Sequence, residues 1–315
     1  MIVGLGINKL RTGFKIKFKS TFKQTSVQIY SILEPLFHSI MILTLGFSPC
    51  PNDTFIFDAL VNKRIDTEGI DFKVFMLDVE TLNKKALHAE LDITKLSFAA
   101  LAKVQDKYDL LDSGSALGFG VGPLVISKEK DYVLNKNSRV AIPGELTTAH
   151  FLFRLFYPEV ILRTEMVFSE IENAVISGVV DAGVIIHENR FTYQLRGLHK
   201  VRDLGEAWES ERGLPIPLGG IAIKKELSSE LKHKVNELIK KSVNYAFLHP
   251  DASEEFVKNN AQEMDANVRR QHIALYVNKY SLSLGDIGSE AVRALFLTAK
   301  DKKLLTTNDA LEIII

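Results

Sequence analysis

From Met41 onward, short apolar runs alternate with amphipathic stretches, and the alternation predicts strands followed by helices. Residues 42–47 read as a strand and residues 48–53 (Ser-Pro-Cys-Pro-Asn-Asp) as a rigid loop. Phe55, Phe57, Leu60 and Val61 then lie along a helix that Asn52 or Asp53 caps. Residues 72–77 form the next strand, 79–89 a helix and 91–96 a third strand, after which Ser97 opens a helix along Ala100, Leu101 and Val104. This βαβαβα order predicts a parallel sheet with right-handed crossovers.

A glycine-rich segment follows, with Gly114, Gly118, Gly120 and Gly122 ahead of Pro123. The alternation then restarts: a strand at 139–142, a helix at 148–156, a strand at 161–168, a helix and a strand at 184–186. Pro215, Pro217, Gly219 and Gly220 mark a second crossing into a short strand at 221–223. Beyond it Leu227, Leu231, Val235, Leu238, Ile239 and Val243 keep helical spacing up to Pro250, and further helices run from about Ser253. Two α/β blocks joined by two Gly/Pro-rich crossings predict a two-lobed hinge protein with a ligand cleft between the lobes. The helical tail is expected to pack back on the first lobe. The boundaries expected are 41–127 with 218–315 for lobe 1, and 128–217 for lobe 2.

Within the second block, Ser169 and Glu172 read as a capping box, opening a helix with Ile171, Val175 and Ile176 on one face that Gly178 stops. Val184, Ile185 and Ile186 then form a run suited to a parallel strand buried on both faces. His187 stands at its carboxyl end, where ligands of open α/β sheets sit. With an ordinary pKa of about 6.5, a histidine there suits proton abstraction near neutrality, although a packed or capping histidine is the bland alternative.

Charge changes the picture only at the N-terminus. Residues 1–40 hold six bases and one acid, so the remainder carries 33 bases against 38 acids, a net of −5 with histidines neutral. No basic stripe of the kind that nucleic-acid binders show is present. Residues 1–40 read as an amphipathic basic arm or, preferred, as upstream sequence ahead of a true start at Met41, disordered in either case. The short patch from Ile2 to Ile7 precedes the charges, the reverse of a signal peptide. No apolar run approaches the roughly 18–20 residues that span a bilayer. Cys50, the single cysteine of the 315 residues, excludes an internal disulfide and fits a reducing cytosol.

Other stretches carry weaker signals. Residues 142–149 run from strand to helix start, where unpaired N–H groups and the helix dipole can hold a carboxylate without Lys or Arg, or where a threonine simply caps. Lys95-Leu96-Ser97 occupies the equivalent turn of the first block and has the same two readings. Gly118-Phe119-Gly120-Val121-Gly122 lacks the dinucleotide-binding spacing, and a strand follows it; it lets backbone approach a ligand or bend. Cys50, at a helix start but flanked by two prolines and without an evident base, reads as structural or pocket-lining. His187 belongs to no zinc motif, because Phe191 stands where His-Glu-x-x-His needs its second histidine.

Taken together, Ser48 to Phe55, Asp78 to Asn83, Thr94 to Ser97, Gly120 to Leu124, Thr147-Thr148-Ala149 and the Ile185-Ile186-His187-Glu188-x-Arg190-Phe191-Thr192-Tyr193 stretch resemble the 1,4-dihydroxy-6-naphthoate synthases of the futalosine route to menaquinone. The likeness runs in order from Met41 to about residue 300 and leaves residues 1–40 without a counterpart. It implies a type II periplasmic-binding-protein-like fold used as a cytoplasmic enzyme. The expected reaction is a carbon–carbon lyase step on cyclic dehypoxanthine futalosine, with no metal or redox cofactor. His187 would be the proton acceptor, and Lys95, Leu96, Ser97, Thr148 and Ala149 would line the substrate site. Two rivals remain: a solute-binding protein of the same fold, and chorismate dehydratase of the same pathway. The sequence leaves the oligomeric state open.

Overall fold

The structure, a computed structural model, describes residues 41–262, 265–304 and 313–314. The basic extension at 1–40 lies outside them. The first block forms β1 (Met41–Phe47), α1 (Pro51–Val61), β2 (Ile70–Met76), α2 (Val79–Ala86), β3 (Ile93–Ser97), α3 (Phe98–Leu101), β4 (Tyr108–Leu111) and β5 (Ala116–Gly118). The second forms β6 (Leu124–Ser127), β7 (Val140–Ile142), α4 (Thr148–Phe156), β8 (Arg163–Glu165), α5 (Ile171–Ile176), β9 (Ala182–Ile185), α6 (Asn189–Thr192), β10 (His199–Asp203) and α7 (Leu204–Arg212). The chain then returns through β11 (Ile216–Lys224), α8 (Ser229–Leu248), α9 (Glu254–Asn260), α10 (Ala266–Tyr276), α11 (Lys279–Leu282), α12 (Gly285–Asp301) and β12 (Ile313–Ile314).

Two mixed sheets result, one per block. The first has the order β12-β4-β11-β3-β1-β2, with β5 paired to β11; the second has the order β10-β6-β9-β7-β8. β1 runs parallel to β2 and β3, as the βαβ reading requires. β11, arriving from the second block, runs antiparallel to β3 and sets Gly219 opposite Ser97. β9 is parallel to β7 but antiparallel to β6, so the strand leading to His187 pairs on both sides in a mixed sheet rather than a purely parallel one. Its four residues are all buried, but the strand is shifted from the expected run 184–186, and Ile186 falls outside it and is half-buried.

Packing of α1 and α8 on the first sheet makes one core, in which the Phe47 and Phe57 rings stack 4.6 Å apart. Each of these fully buried aromatics contributes about 2–3 kcal/mol by leaving water. A smaller core beneath α5 holds Ile171, Val175 and Ile185 and backs the strand that ends near His187.

Several local expectations are corrected. Helix α1 is entered at Cys50, with Pro51 in its first turn and no side-chain cap. Asp53 does not cap it, because its carboxylate turns back to the Ser48 amide at 3.1 Å and the Ser48 hydroxyl at 2.7 Å. The capping box fails too: a 3₁₀ turn at Phe168–Glu170 precedes α5, which has no side-chain cap. The Glu172 carboxylate is held at 2.6 Å by Arg196 instead of reaching back. The glycine-rich crossing is shaped by packing. A Cβ on Gly122 would lie 2.2 Å from the Cα of Gly205, so this crossing touches the start of α7 backbone to backbone.

Candidate active site

The loop between β1 and α1 is built around a buried carboxylate. Asp53 takes the two bonds from Ser48, one from the Asn52 side-chain NH₂ at 2.8 Å, and the Lys95 ammonium at 3.2 Å. Lys95 is itself 5% exposed and also donates to the Gly114 carbonyl at 3.1 Å. Its charge is therefore matched inside the protein. A buried pair of this kind is strongly destabilised when one partner is removed alone.

Ser97, at the end of β3, is gripped by Asn83. The Asn83 carbonyl oxygen accepts from the Ser97 amide at 3.0 Å, and the Asn83 NH₂ donates to the Ser97 hydroxyl at 3.2 Å. That leaves the hydroxyl's own proton for another partner. Asn83 also donates to Glu80 at 3.1 Å, and Glu80 reaches the second block, accepting the Leu146 amide at 3.1 and 3.2 Å from its two oxygens. Gly144 lies against this carboxylate at φ +148, where an added Cβ would stand 2.5 Å from the Glu80 Cδ. Both the dihedral and the contact demand glycine. Burial pushes the Glu80 carboxyl up to about 6, against the Asn83 and Leu146 hydrogen bonds that pull it down.

Across the cleft, Thr147 caps α4 by accepting the His150 amide at 3.1 Å. The Thr148 hydroxyl is not free for a ligand. It donates to the Leu218 carbonyl at 2.7 Å and accepts the Ala99 amide at 3.3 Å, tying α4 to β11 and α3. What α4 offers a ligand is its first-turn backbone, the amides of Thr148 and Ala149, at the positive end of the helix dipole.

His187 follows β9 with φ 59°, a left-handed backbone that costs a non-glycine residue free energy. Its ring packs on Phe168 at 4.8 Å and lies within 6° of parallel to His272 at 6.2 Å. Its Nδ1 is 3.3 Å from the Cys50 sulfur. Burial pulls the His187 pKa down to about 4, with Lys95 helping, while Asp53 and Asp78 oppose. Burial, and then Glu188, push the Cys50 thiol well up. The pair is therefore a thiol beside a neutral imidazole, not a thiolate–imidazolium nucleophile.

His272 comes from α10, on the return half of the chain, and is 1% exposed. Its Nε2 is 2.9 Å from the Asn52 carbonyl oxygen. The Asn52 NH₂ is spent on Asp53, so the oxygen faces His272 and Nε2 must carry the proton. Burial, then His187, hold the His272 pKa well down. Cys50, His187 and Glu188 bring one metal-capable atom each within 4.8 Å of one another, but the sulfur and Nδ1 engage each other.

All six residues expected from the sequence line one cleft: Lys95, Leu96, Ser97, Thr148, Ala149 and His187. Asn52, His272 and Tyr276 also line it, and the last two carried no signal in the sequence. His272 and Tyr276 sit on a tail helix with no motif around them. Asn52 could be found only through its loop.

Among the described residues no helix is long and apolar enough to cross a membrane. The menaquinone biosynthesis family matches residues 43–301. A Thermus thermophilus protein named 1,4-dihydroxy-6-naphthoate synthase is 45% identical over 262 residues, covering 83% of this chain and 95% of the relative. A Streptomyces coelicolor protein of the same name is 44% identical over 269 residues, 84% of this chain and 94% of its own length. Among solved structures, an Archaeoglobus fulgidus protein superposes with a TM-score of 0.81 at 33% identity, covering 85% of this chain and all of its own. The aliphatic sulphonate-binding protein of Escherichia coli shares the fold, with a TM-score of 0.58 at 12% identity over 85% of this chain and 89% of its own.

Proposed function

This chain belongs to the menaquinone biosynthesis family, and on that premise we propose that it is a 1,4-dihydroxy-6-naphthoate synthase acting on cyclic dehypoxanthine futalosine. The reaction is a carbon–carbon lyase step that releases the sugar-derived fragment and leaves the dihydroxynaphthoate. That it is an enzyme of menaquinone biosynthesis follows from the family and its named relatives; the substrate and the residue roles are our reading.

The observation that carries the reading is His187. Its imidazole lines the cleft, is neutral at physiological pH, and has one nitrogen committed to Cys50, which leaves Nε2 for the substrate. A ring with so low a pKa is a weak base by itself. Asp53 and Asp78 favour its charged form, so the imidazolium is stabilised as it appears. A positioned base contributes about 10²–10⁴-fold. Orientation in a closed cleft and the drive to aromatise supply the remainder.

The substrate carboxylate would sit at the first-turn amides of Thr148 and Ala149, with the Ser97 hydroxyl as a further donor. Lys95, already paired with Asp53, sets the local field rather than acting as a lone counter-ion. The test is direct. Incubation with cyclic dehypoxanthine futalosine should release the naphthoate chromophore, and a protein that binds without converting it would instead be a solute-binding relative.

A further inference from the structure

The Cys50–His187 contact joins the two blocks: Cys50 belongs to the loop before α1, and His187 follows β9. Two aromatic rings pack on the imidazole, while Asp53, Asp78 and Lys95 act on it through charge and a Glu188 carboxylate oxygen comes within 4.8 Å of one of its nitrogens. Phe168 and His272 lie against its faces and fix its tilt, but a flat contact does not distinguish one ring edge from the other. A half-turn about Cβ–Cγ would exchange the nitrogen and carbon positions and leave the stacking intact. A contact at hydrogen-bonding range that does tell nitrogen from carbon is the one to the Cys50 sulfur, 3.3 Å from Nδ1.

Cys50 is well placed for that task. Its backbone amide donates to the Ser48 hydroxyl at 3.4 Å, and its carbonyl accepts the Thr54 amide at 3.0 Å. Pro51 follows it, and the residue is 5% exposed. The sulfur is thus held by the loop and the first turn of α1 and does not depend on substrate. His187, by contrast, stands on a left-handed backbone at the end of its strand.

We infer that Cys50 is a positioning residue that selects the working ring orientation and tautomer of His187. The inference rests on the reading of His187 as the proton acceptor. With Nδ1–H donated to sulfur, the lone pair stands on Nε2, on the opposite edge of the ring, where it can take a substrate proton. The hydrogen on the other ring nitrogen is set by the bond that nitrogen makes. A free imidazole side chain prefers the other tautomer, with hydrogen on Nε2, and in that form Nε2 could not accept a proton at all. As the ring becomes imidazolium, Nδ1–H stays bonded to sulfur, so no group needs to move. Cys50 forms no bond to substrate and is neither oxidised nor reduced.

The experiment uses the full chain and compares Cys50→Ala, Cys50→Ser and His187→Ala with the parent, each checked for an unchanged Tm. Cys50→Ala should lower kcat roughly five- to tenfold, the effect of one modest hydrogen bond, and change KM less than about twofold. Cys50→Ser, which keeps an acceptor, should recover most of kcat. Nitrogen-15 spectra of labelled histidine in the unliganded protein should show His187 protonated on Nδ1 in the parent. In Cys50→Ala the proton should shift toward Nε2. Unchanged kcat in Cys50→Ala, equal losses in Ala and Ser, or an Nε2-protonated ring in the parent would each overturn the proposal. Full activity in His187→Ala would instead overturn the base assignment on which it rests.

Discussion

The imidazoles of His187 and His272 lie 6.2 Å apart, within 6° of parallel, one at the end of β9 and the other on α10. Burial is the largest cause that lowers each pKa, and His187 adds further to the depression at His272. Two neutral rings can stack at this spacing, whereas two imidazolium ions would repel one another in a site with little water.

The first prediction is a loss of stability in acid. Both rings titrate lower in the folded chain than in the unfolded chain, so below their ordinary pKa of about 6.5 the unfolded state binds more protons. Their contribution is complete above about pH 6.5 and is lost as pH falls toward 4, the value His187 reaches in the fold. Tm should therefore drop steadily between pH 6.5 and 4. His272→Phe, which keeps a stacked ring without a titrating group, should flatten that slope. A parallel slope in parent and variant would contradict the account.

Glu80 predicts the opposite sign. Its carboxyl is raised to about 6 from an ordinary 4.5, chiefly by burial. Its contribution is complete below about pH 4.5 and is lost as pH rises through 6. Glu80→Gln keeps an acceptor for the Leu146 amide without a buried charge, so it should gain about 1–2 kcal/mol over the parent at pH 7.5 and almost nothing at pH 4.5. Thermal melts at the two pH values check this. An equal gap at both would show that ionisation of Glu80 is irrelevant.

Thr148 predicts a binding defect with a stability cost. Valine in its place leaves the Leu218 carbonyl and the Ala99 amide without their partner across the cleft. Each buried group left unsatisfied costs about 1–3 kcal/mol. Thr148→Val should lower Tm and raise KM, because the first turn of α4 loses its anchor to the opposite block, with a smaller effect on kcat. A collapsed kcat at unchanged KM and Tm would give Thr148 a role in the chemistry itself.

Much of this site was legible because chemistry fell where a periodic pattern stopped. Residues 42–47 and 148–156 announced strand and helix, and 184–186 announced a buried strand that runs instead from Ala182 to Ile185; the residues that follow a strand or open a helix then line the cleft. Less was legible wherever a contact is made by the return half of the chain. His272 looks like any polar residue of a tail helix until the fold lays α10 beside the β1–α1 loop. β10, His-Lys-Val-Arg-Asp, carries no apolar alternation, because its outer positions face solvent at the edge of its sheet. Glu172 matched a capping box in spacing, yet an arginine 24 residues away competes for its carboxylate and wins. Local pattern cannot register such a competitor. Thr148 was legible as a cleft residue, but the engagement of its hydroxyl with Leu218 was not, since that bond spans 70 positions.

The central claim is that His187 is the base, and single-turnover chemistry with substrate shown to be bound tests it most directly. His187→Ala removes an imidazole that stands after the buried part of β9, so the variant should fold and bind normally. Bound cyclic dehypoxanthine futalosine should then convert about 10²–10⁴-fold more slowly than in the parent, and His187→Asn should be nearly as slow. A bound-state rate in His187→Ala close to that of the parent would contradict the account and leave His187 as a structural residue of its loop.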